Sequence, residues 1–422
     1  MEYYLIEGGR RIEGELRVQG SKNGALPILA ATVVTGCTSI LHRCPCLRDT
    51  DAALHILRHI GCDAVRSGES VIVRADAPQR WEIPESLMRC MRSSIIFLGA
   101  LIARFGRAEL TAPGGCEIGL RPIDLHVSAL SALGVKTDER GGKLCCHAPN
   151  GLHGANITLS FPSVGATENI LLCAVCAEGD TVIRNAAREP EISDLASFLN
   201  GCGARITGAG SDTIVVSPTG VFRANEHTIM PDRIAAATYL STAAVTGGSI
   251  RLRESAPDSL LPVLPYFEQC GCVVRIAGDD VLLQSPQRLR APRLVRTMPY
   301  PGFPTDFQPS AMVMAAVSLG TGVFVETIFE NRFRHVPQLR RMGAHITVQS
   351  NVAVVEGVPR LNGAIVYATD LRGGAALVNA ALCAEGETRI GCIGHIDRGY
   401  ENFEHNLALL GAGIKRIDSD AE

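Results

Sequence analysis

The chain has 422 residues, 46% of them hydrophobic and 20% charged, with a formal net charge of -3 at pH 7. Its length predicts two or three domains, each with its own core. A slightly acidic chain gives no reason to expect nucleic acid as a partner, because phosphate-backbone binders carry a basic patch or stripe.

No apolar run reaches the roughly 18–20 residues that a membrane span requires. Residues 1–7 have neither a basic start nor an apolar signal core. We therefore expect a cytoplasmic protein without a membrane partner, whose 15 cysteines are mostly free thiols. Cys173 and Cys176 form a C-x-x-C motif, but no second pair accompanies it, so no metal site is predicted.

Six strongly apolar segments recur along the chain, and each predicts a buried helix. They span 26–34, 95–103, 170–177, 235–244, 312–319 and 375–384. Each is followed by a glycine that predicts a left-handed C-cap: Gly36, Gly106, Gly179, Gly247, Gly320 and Gly386. A short alternating segment then predicts a strand, as at 181–184, 249–252 and 323–326.

A second, amphipathic helix is predicted to complete each repeat. These helices end at glycines spaced 68 to 73 residues apart: Gly61, Gly134, Gly203, Gly271, Gly343 and Gly411. A period near 70 residues suits one compact α/β subunit, so six repeats predict two domains of three. The crossing is expected in the polar stretch 221–232. Two lobes of similar size also predict a ligand-binding cleft between them.

The first predicted helix is preceded by Gly20, Ser21, Lys22, Asn23 and Gly24. Small residues let a ligand approach the backbone, and the lysine supplies a point charge suited to phosphate. The spacing of a P-loop is absent, and so is the glycine pattern of a dinucleotide fold. A nucleoside triphosphatase or a Rossmann oxidoreductase is therefore poorly supported.

Several arginines occupy related places in the repeats. Three stand 13 residues before a closing glycine and one stands 11 before it: Arg48, Arg121 and Arg398, then Arg332. An arginine at a helix N-terminus builds an anion site. Any one of them alone reads more simply as a solvated side chain or a capping ion pair. Together they favour a cleft lined with cations, to which Arg92 and Arg372 are weaker candidates.

Cys116 lies in the segment 112–122, which contains three glycines and two prolines. This composition predicts a loop that exposes the thiol near Arg121 and close to a helix start. Both features favour the thiolate, so the sequence indicates a chemically active cysteine. The alternative is a thiol folded beneath the loop.

Asp306 lies just before the fifth apolar segment, at a place equivalent to that of Lys22 in the first repeat. It is either a helix cap or a general base for a hydroxyl group. The sequence alone leaves both open.

Taken together, these residues resemble the UDP-N-acetylglucosamine 1-carboxyvinyltransferase family of enolpyruvyl transferases, essentially end to end. The motifs that carry the resemblance are Pro113-Gly114-Gly115-Cys116, the segments 121–126 and 162–167, Phe303-Pro304-Thr305-Asp306 and the segment 326–333. The resemblance implies a two-lobe inside-out α/β barrel of six βαβαββ-type repeats, three per lobe, with pseudo-threefold symmetry. One lobe would be 21–229 with the cysteine loop, and the other 1–20 plus 230–422, with the active site in the cleft between them.

The resemblance also implies the reaction. The enolpyruvyl group of phosphoenolpyruvate would pass to the 3′-hydroxyl of UDP-N-acetylglucosamine by addition and elimination, with release of phosphate. This is the first committed step of peptidoglycan precursor synthesis. The two small molecules are the expected partners, and no metal or organic cofactor is implied.

By resemblance, Cys116 is the acid that protonates the methylene carbon, and it can also form a pyruvyl thioether adduct. Asp306 would accept the proton of the sugar hydroxyl. The remaining roles fall into three groups. Phosphate would be held by Lys22, Arg121 and Arg398; the carboxylate by Arg332 and Arg372 with Asp370 assisting; and the reacting groups would be oriented by Asn23. Contacts to the UDP-sugar would come from Arg92, Arg121, Pro122, Ile123, Asp124, Leu125, Ser163, Val164, Gly165, Asp306 and Ile328.

One departure from the family concerns the residues before Ser163. Some members carry a lysine there, whereas this chain has Phe161 and Pro162, which removes one cationic contact to the uridine phosphates. Two alternatives remain. A 5-enolpyruvylshikimate-3-phosphate synthase lacks the cysteine loop and the Ser-Val-Gly element. A non-catalytic UDP-sugar-binding paralogue that regulates wall synthesis is disfavoured by the intact Lys22, Cys116 and Asp306.

Overall fold

The computed structural model describes residues 2–111 and 123–418. Over these ranges the α-helices are α1 Lys22–Thr35, α2 Arg48–Ile60, α3 Glu85–Met88, α4 Phe97–Phe105, α5 Asp124–Ala132, α6 Val164–Ala174, α7 Pro190–Gly201, α8 Arg233–Val245, α9 Pro257–Leu260, α10 Leu264–Gln269, α11 Gln308–Ala316, α12 Val336–Arg341, α13 Leu371–Cys383 and α14 Phe403–Leu409. Short 3-10 turns span Arg92–Ile96, Arg332–His335 and Ile393–Arg398.

The strands of the same ranges are β1 Glu2–Glu7, β2 Glu13–Arg17, β3 Thr38–His42, β4 Asp63–Ser67, β5 Ser70–Arg74, β6 Glu82–Ile83, β7 Arg107–Thr111, β8 Lys136–Arg140, β9 Lys143–His147, β10 Asn156–Thr158, β11 Thr181–Arg184, β12 Arg205–Thr207, β13 Thr213–Ser217, β14 Asn225–Thr228, β15 Ser249–Arg253, β16 Val273–Ala277, β17 Asp280–Gln284, β18 Leu294–Arg296, β19 Thr321–Val325, β20 His345–Gln349, β21 Val352–Glu356, β22 Ile365–Tyr367, β23 Glu387–Gly391 and β24 Gly413–Asp418.

The described strands form six four-stranded sheets with one common plan. In the sheet β10-β11-β13-β12, β10 is parallel to β11, and the other two pairings are antiparallel. Parallel neighbours need a crossover connection, and α6 supplies it here. The helices α11 and α13 do the same between β18 and β19 and between β22 and β23. The predicted fold class, an α/β fold of six repeats, is confirmed.

Three sheets are completed by strands that lie far away in the sequence. β1 pairs with β23 and β24, and β2 lies parallel to β15, so the N-terminal residues belong with the last three repeats. β14 lies parallel to β3 and completes the sheet of the first repeat. These pairings explain why the N-terminal residues and the last three repeats belong to one compact unit, and the first three repeats to another.

The described residues form two compact units. The first unit comprises 20–111 and 123–230, and the second unit comprises 2–19 and 231–418. Each has its own hydrophobic core around three central helices, which are α1, α4 and α6 in the first unit and α8, α11 and α13 in the second. Nearly every residue of α1 and of α8 is buried, as expected for helices that are apolar on all sides.

The left-handed conformation predicted for the six glycines after the apolar segments is confirmed. These six and the six closing glycines have φ between 63° and 108°, a region that other residues rarely adopt. Gly36, Gly106 and Gly61 directly cap α1, α4 and α2. The predicted capping position is wrong at Gly179, Gly247, Gly320 and Gly386, because α6, α8, α11 and α13 end earlier and other residues occupy their cap positions.

The prediction of one continuous second helix is correct for the first unit and wrong for the second. The fourth repeat has α9 and α10, interrupted at 261–263, where Pro262 cannot continue a helix. In the sixth repeat, the 3-10 turn Ile393–Arg398 is separated from α14 by Asn402 with φ 47°. Arg398 therefore ends a 3-10 turn and does not begin an α-helix, whereas Arg48 begins α2 as predicted.

Within the described ranges, no helix combines the length and apolar character needed to cross a membrane.

Candidate active site

In the first unit, the candidate residues lie where the central helices begin. Lys22 and Asn23 are the first two residues of α1, and the Ser21 hydroxyl caps this helix by accepting from the Gly24 N–H at 3.1 Å. Ser163 caps α6 by accepting from the Ala166 N–H at 3.3 Å. A helix start leaves backbone N–H groups without intrahelical acceptors and carries the positive end of the dipole. Both places therefore favour an anion.

The second unit repeats this arrangement with acidic caps. The Asp232 carboxylate accepts from the Ile234 and Ala235 N–H groups at the start of α8. The Asp370 carboxylate accepts from the Arg372 N–H at 3.1 Å and the Gly373 N–H at 2.9 Å at the start of α13. Sequence reasoning missed Asp232, although its place before the fourth apolar segment was a usable signal.

Lys22 is buried beside a carboxylate. Its Nζ lies 3.4 Å from Oδ2 of Asp49, a buried residue at the start of α2, and only 8% of Lys22 is exposed. Burying an ammonium group is costly unless it is paired with an opposite charge, and the Asp49 carboxylate supplies that charge here. The neighbouring Arg48 is exposed. Sequence reasoning singled out Arg48 and not Asp49, because an acid in a helix's first turn is unremarkable by itself.

Asp306 is held between two arginines. Its Oδ1 accepts from Arg332 Nη2 at 3.0 Å, and its Oδ2 accepts from Arg372 Nε at 3.3 Å. The cap position of α11 belongs to Phe307, which forms no side-chain cap. Of the two interpretations left open by the sequence, the helix cap is therefore wrong. The Asp306 side chain keeps 28% of its surface exposed, so a hydroxyl group can reach it.

Arg332 and Arg372 are almost completely buried, with 1% and 4% of their surfaces exposed. Arg332 Nε and Nη2 also donate to the Thr305 carbonyl, at 3.0 and 2.8 Å. Arg372 Nη1 is buried without a hydrogen-bond acceptor among the described residues. A buried guanidinium N–H without an acceptor is rare and is expected to meet one in a ligand.

Asp370 and His335 complete the charged cluster. Burial alone would raise the pKa of Asp370, but Arg332, the Gly373 N–H and His335 outweigh burial and lower it. The Oδ1 atom of Asp370 lies 3.8 Å from Arg332 Nη1. Burial lowers the pKa of His335 to about 4, so its ring is neutral near pH 7. Its Nδ1 donates to the Arg332 carbonyl at 3.2 Å.

Glu326 positions two segments of this cluster, and sequence reasoning gave it no role. Its buried Oε1 accepts from the backbone N–H groups of Ile328 and Phe329, at 2.8 and 3.1 Å. Its Oε2 accepts from the Thr305 hydroxyl at 3.0 Å, next to Asp306. The sequence could have indicated it, because Glu326 is a charged residue directly after a half-buried strand. Ile328 is half-buried at this turn.

The remaining predicted residues are placed as follows. Ile123 occupies the N-cap position of α5 without a side-chain cap, and the helix begins with the exposed Asp124 and the half-buried Leu125. Arg398 is half-buried. The side chain of Arg92 and the residues Cys116, Arg121 and Pro122 lie outside the described part of the chain. Across the part that is described, no three His, Cys, Asp or Glu side chains are grouped as metal ligands.

Residues 6–407 match the family described as EPSP synthase (3-phosphoshikimate 1-carboxyvinyltransferase). The chain is 48% identical over 417 residues to UDP-N-acetylglucosamine 1-carboxyvinyltransferase 2 of Caldanaerobacter subterraneus subsp. tengcongensis, covering 99% of this chain and 100% of that protein. It is 48% identical over 421 residues to UDP-N-acetylglucosamine 1-carboxyvinyltransferase 1 of Symbiobacterium thermophilum, covering 99% and 95%.

Two solved structures are similar over nearly their whole length. The enolpyruvyl transferase NikO from Streptomyces tendae has a TM-score of 0.90 at 27% identity, with 98% of each chain covered. An EPSP synthase from Acinetobacter baumannii has a TM-score of 0.73 at 18% identity, covering 99% of this chain and 100% of that one. At that identity the second likeness shows the fold alone.

Proposed function

Because the chain belongs to the EPSP synthase family, with UDP-N-acetylglucosamine 1-carboxyvinyltransferases among its relatives, we propose that it transfers the enolpyruvyl group of phosphoenolpyruvate to the 3′-hydroxyl of UDP-N-acetylglucosamine. Phosphate is the second product. The identity of 48% over nearly the full length of the relatives supports this acceptor over shikimate 3-phosphate.

The observation that carries the proposal is the cluster around Asp306. A carboxylate with part of its surface exposed is bound by two buried arginines, and Arg372 Nη1 has no acceptor within the described chain. Phosphoenolpyruvate brings a carboxylate that can accept from this N–H. The same cluster thus offers a cation for the donor substrate and a base for the acceptor hydroxyl.

In the addition step, the 3′-oxygen of the sugar bonds to C2 of phosphoenolpyruvate while Asp306 accepts the hydroxyl proton. Cys116 gives its thiol proton to C3, which turns the double bond into a methyl group. In the elimination step, the C2–phosphate oxygen bond breaks, the Cys116 thiolate takes a proton back from C3 and the double bond re-forms. The departing phosphate carries away the proton that Asp306 took from the hydroxyl, so both residues return to their starting state.

The other residues hold the reacting groups. Lys22, Arg121 and Arg398 bind phosphate, and Asn23 orients the reactants. Arg332 and Arg372 bind the carboxylate. Asp370 positions the two arginines, because its carboxylate accepts from the backbone N–H of Arg372 and lies 3.8 Å from Arg332. Preorganised charges of this kind lower the barrier because they need not rearrange during the reaction.

The UDP-sugar is assigned to the first unit and to the turn around Ile328. It contacts Arg92, the segment 121–125 and the start of α6 at Ser163, Val164 and Gly165. We further propose that one lobe comprises residues 21–229 and the other residues 1–20 and 230–422.

We infer a cytoplasmic enzyme of peptidoglycan precursor synthesis, on which cell shape and division depend.

The test is release of inorganic phosphate from phosphoenolpyruvate by the purified chain, with UDP-N-acetylglucosamine or shikimate 3-phosphate as acceptor. We expect release with the UDP-sugar. Release only with shikimate 3-phosphate would assign the chain to EPSP synthase. No release with either, together with retained UDP-sugar binding, would favour the non-catalytic paralogue.

Asp306→Asn tests the base. Loss of a general base should lower kcat by about 10²–10⁴-fold. Asp279→Asn changes an exposed carboxylate of the same unit and should leave kcat unchanged. Equal activity of Asp306→Asn and the wild type would refute the assignment.

Cys116 is tested separately with fosfomycin, an epoxide that alkylates this cysteine in the family. One label on Cys116 and loss of turnover are expected, and Cys116→Asp should retain turnover because a carboxylic acid can also donate a proton. Labelling of another cysteine, or an inactive Cys116→Asp, would contradict the role of the thiol as a proton donor.

A further inference from the structure

His126 lies on α5, immediately after the segment 121–125, and packs against the first turn of α6. Only 8% of its surface is exposed. A Cβ atom added to Gly165 would lie 3.1 Å from His126 Cε1 and 3.4 Å from Nε2. The Nε2 edge of the imidazole therefore faces the start of α6, between two segments assigned to the UDP-sugar. No role has so far been given to this ring.

The hydrogen bonds of Asn169 fix which nitrogen of His126 carries the proton. The Gly99 N–H donates to Asn169 Oδ1 at 2.6 Å, which orients the amide. Asn169 Nδ2 then faces His126 Nδ1 at 2.9 Å and the Ile95 carbonyl at 3.2 Å. Since an amide NH₂ only donates, His126 Nδ1 must accept, and the proton resides on Nε2.

The ring is also uncharged. Burial lowers the pKa of His126 to about 4, although the nearby Asp124 opposes the change. A second proton would have to be placed on Nδ1, against the NH₂ group of Asn169. His126 therefore presents a neutral N–H donor near pH 7.

This donor has no hydrogen-bond partner among the described residues, and 92% of the residue that carries it is buried. It faces a helix of 11 residues whose first two N–H groups, of Val164 and Gly165, have no intrahelical acceptors. An unpartnered donor and a helix N-terminus that converge in this way fit an oxygen of a phosphate group. Phe161 and Pro162, which precede the cap, bring no charge to this place.

We propose that His126 donates its Nε2–H to a phosphate oxygen of the nucleotide diphosphate, with Asn169 as the residue that fixes the imidazole tautomer. The inference rests on the proposed function and adds a substrate contact to it. Diphosphate recognition at the start of α6 then depends on a neutral donor together with the helix N–H groups.

The experiment compares the wild type with His126→Phe, which keeps a ring and removes the donor. A hydrogen bond to a charged oxygen is worth about 10- to 150-fold in binding. We expect His126→Phe to raise the KM for UDP-N-acetylglucosamine and the inhibition constant of UDP by about 10-fold or more. The KM for phosphoenolpyruvate and the inhibition constant of uridine, which has no phosphate, should stay within about 2-fold.

His126→Gln retains an N–H donor and should recover part of the lost UDP affinity. His147→Phe changes an exposed histidine of the same unit and serves as the matched control. Equal losses for UDP and uridine, or a fall in thermal stability without a change in UDP affinity, would overturn the inference.

The two proposals fail in distinguishable ways. If the wild type releases phosphate with the UDP-sugar and His126→Phe binds UDP normally, the proposed function stands and this inference is wrong. If the wild type releases no phosphate but His126→Phe binds UDP more weakly than the wild type does, the contact stands and the reaction is wrong.

Discussion

The two units use the same place in the repeat, the start of the central helices, for different kinds of interaction. In the second unit, Asp306 and Asp370 precede α11 and α13, Arg372 lies in the first turn of α13, and Arg332 of a neighbouring 3-10 turn contacts both carboxylates. In the first unit, the starts of α1 and α6 are capped by serine hydroxyls, and the buried His126 is hydrogen-bonded to Asn169.

Each unit also contains a buried asparagine, and the two differ in their hydrogen bonds. Asn169 in the first unit bonds to Gly99, Ile95 and His126, so both of its amide atoms are satisfied. Asn379 in the second unit donates to Ser241 and Ser310, but its Oδ1 has no partner in the described structure. The two buried asparagines therefore differ in how completely their amide groups are hydrogen-bonded.

The largest effect is expected for Arg332→Met, which removes the buried cation from between Asp306 and Asp370. Breaking a buried ion pair by deleting one partner costs about 3–5 kcal/mol of unfolding free energy. Chemical unfolding followed by circular dichroism measures the loss. Arg341→Met, at an exposed position on the same segment, should change stability by less than about 0.5 kcal/mol. A loss below about 1 kcal/mol for Arg332→Met would show that paired charge does not stabilise the second unit.

The asparagines are compared by replacing each with leucine, which has a similar shape. Asn169→Leu removes the acceptor of the Gly99 N–H and the donor to the Ile95 carbonyl and to His126, and should cost about 2–4 kcal/mol. Asn379→Leu removes an unpaired oxygen, and Ser241 keeps its bond to the Thr238 carbonyl, so it should cost less than about 1 kcal/mol. Unfolding by urea measures both, and the chain's single tryptophan, Trp81, reports on the first unit. Equal costs would remove the contrast.

The pH dependence of stability should be alike in the two units despite their different chemistry. His126 and His335 both have a folded-state pKa of about 4, against 6.5 for the free side chain. Between these two pH values the histidine is protonated in the unfolded chain but not in the folded protein. The free energy of unfolding is therefore highest above pH 6.5 and falls as the pH drops towards 4. Each histidine contributes a slope of about 1.4 kcal/mol per pH unit.

Replacing either histidine with glutamine should flatten this slope by about that amount, as measured by urea unfolding between about pH 4.5 and 7.5. His147→Gln, on the surface, should leave it unchanged. A slope that survives in His126→Gln would mean that this ring is not held neutral.

The smallest effect is expected for the serine cap of α6. Ser163→Ala removes one acceptor from the start of α6 and should cost about 1 kcal/mol. Asp370→Asn keeps an acceptor but loses the charge that faces Arg332, so it should cost more than Ser163→Ala near pH 7. Because the pKa of Asp370 is lowered by folding, this difference should shrink as the pH falls below its ordinary 3.8. Equal costs for the two variants at pH 7 would contradict the contrast between paired charge and neutral caps.

Much of the fold could be read from the sequence because its causes are local. Gly36 and Gly61 predict left-handed caps, since only glycine adopts this φ without strain. The apolar run within α1 predicts a helix buried on all sides. The broken second helices of the last three repeats were missed, although Pro262 is visible, because a proline in a helix's first turn is equally common.

The repeated pattern by itself determined the number of α/β units, the positions of their central helices and the candidate residues at the helix starts. Only the tertiary structure decided that Asp306 pairs with Arg332 and Arg372, which lie 26 and 66 residues further along the chain. Likewise, only folding brings His126 to Asn169, 43 residues away, and fixes its tautomer. Periodicity and glycine conformation depend on neighbouring residues, whereas ion pairs and buried hydrogen bonds depend on distant segments that become adjacent only when the core packs.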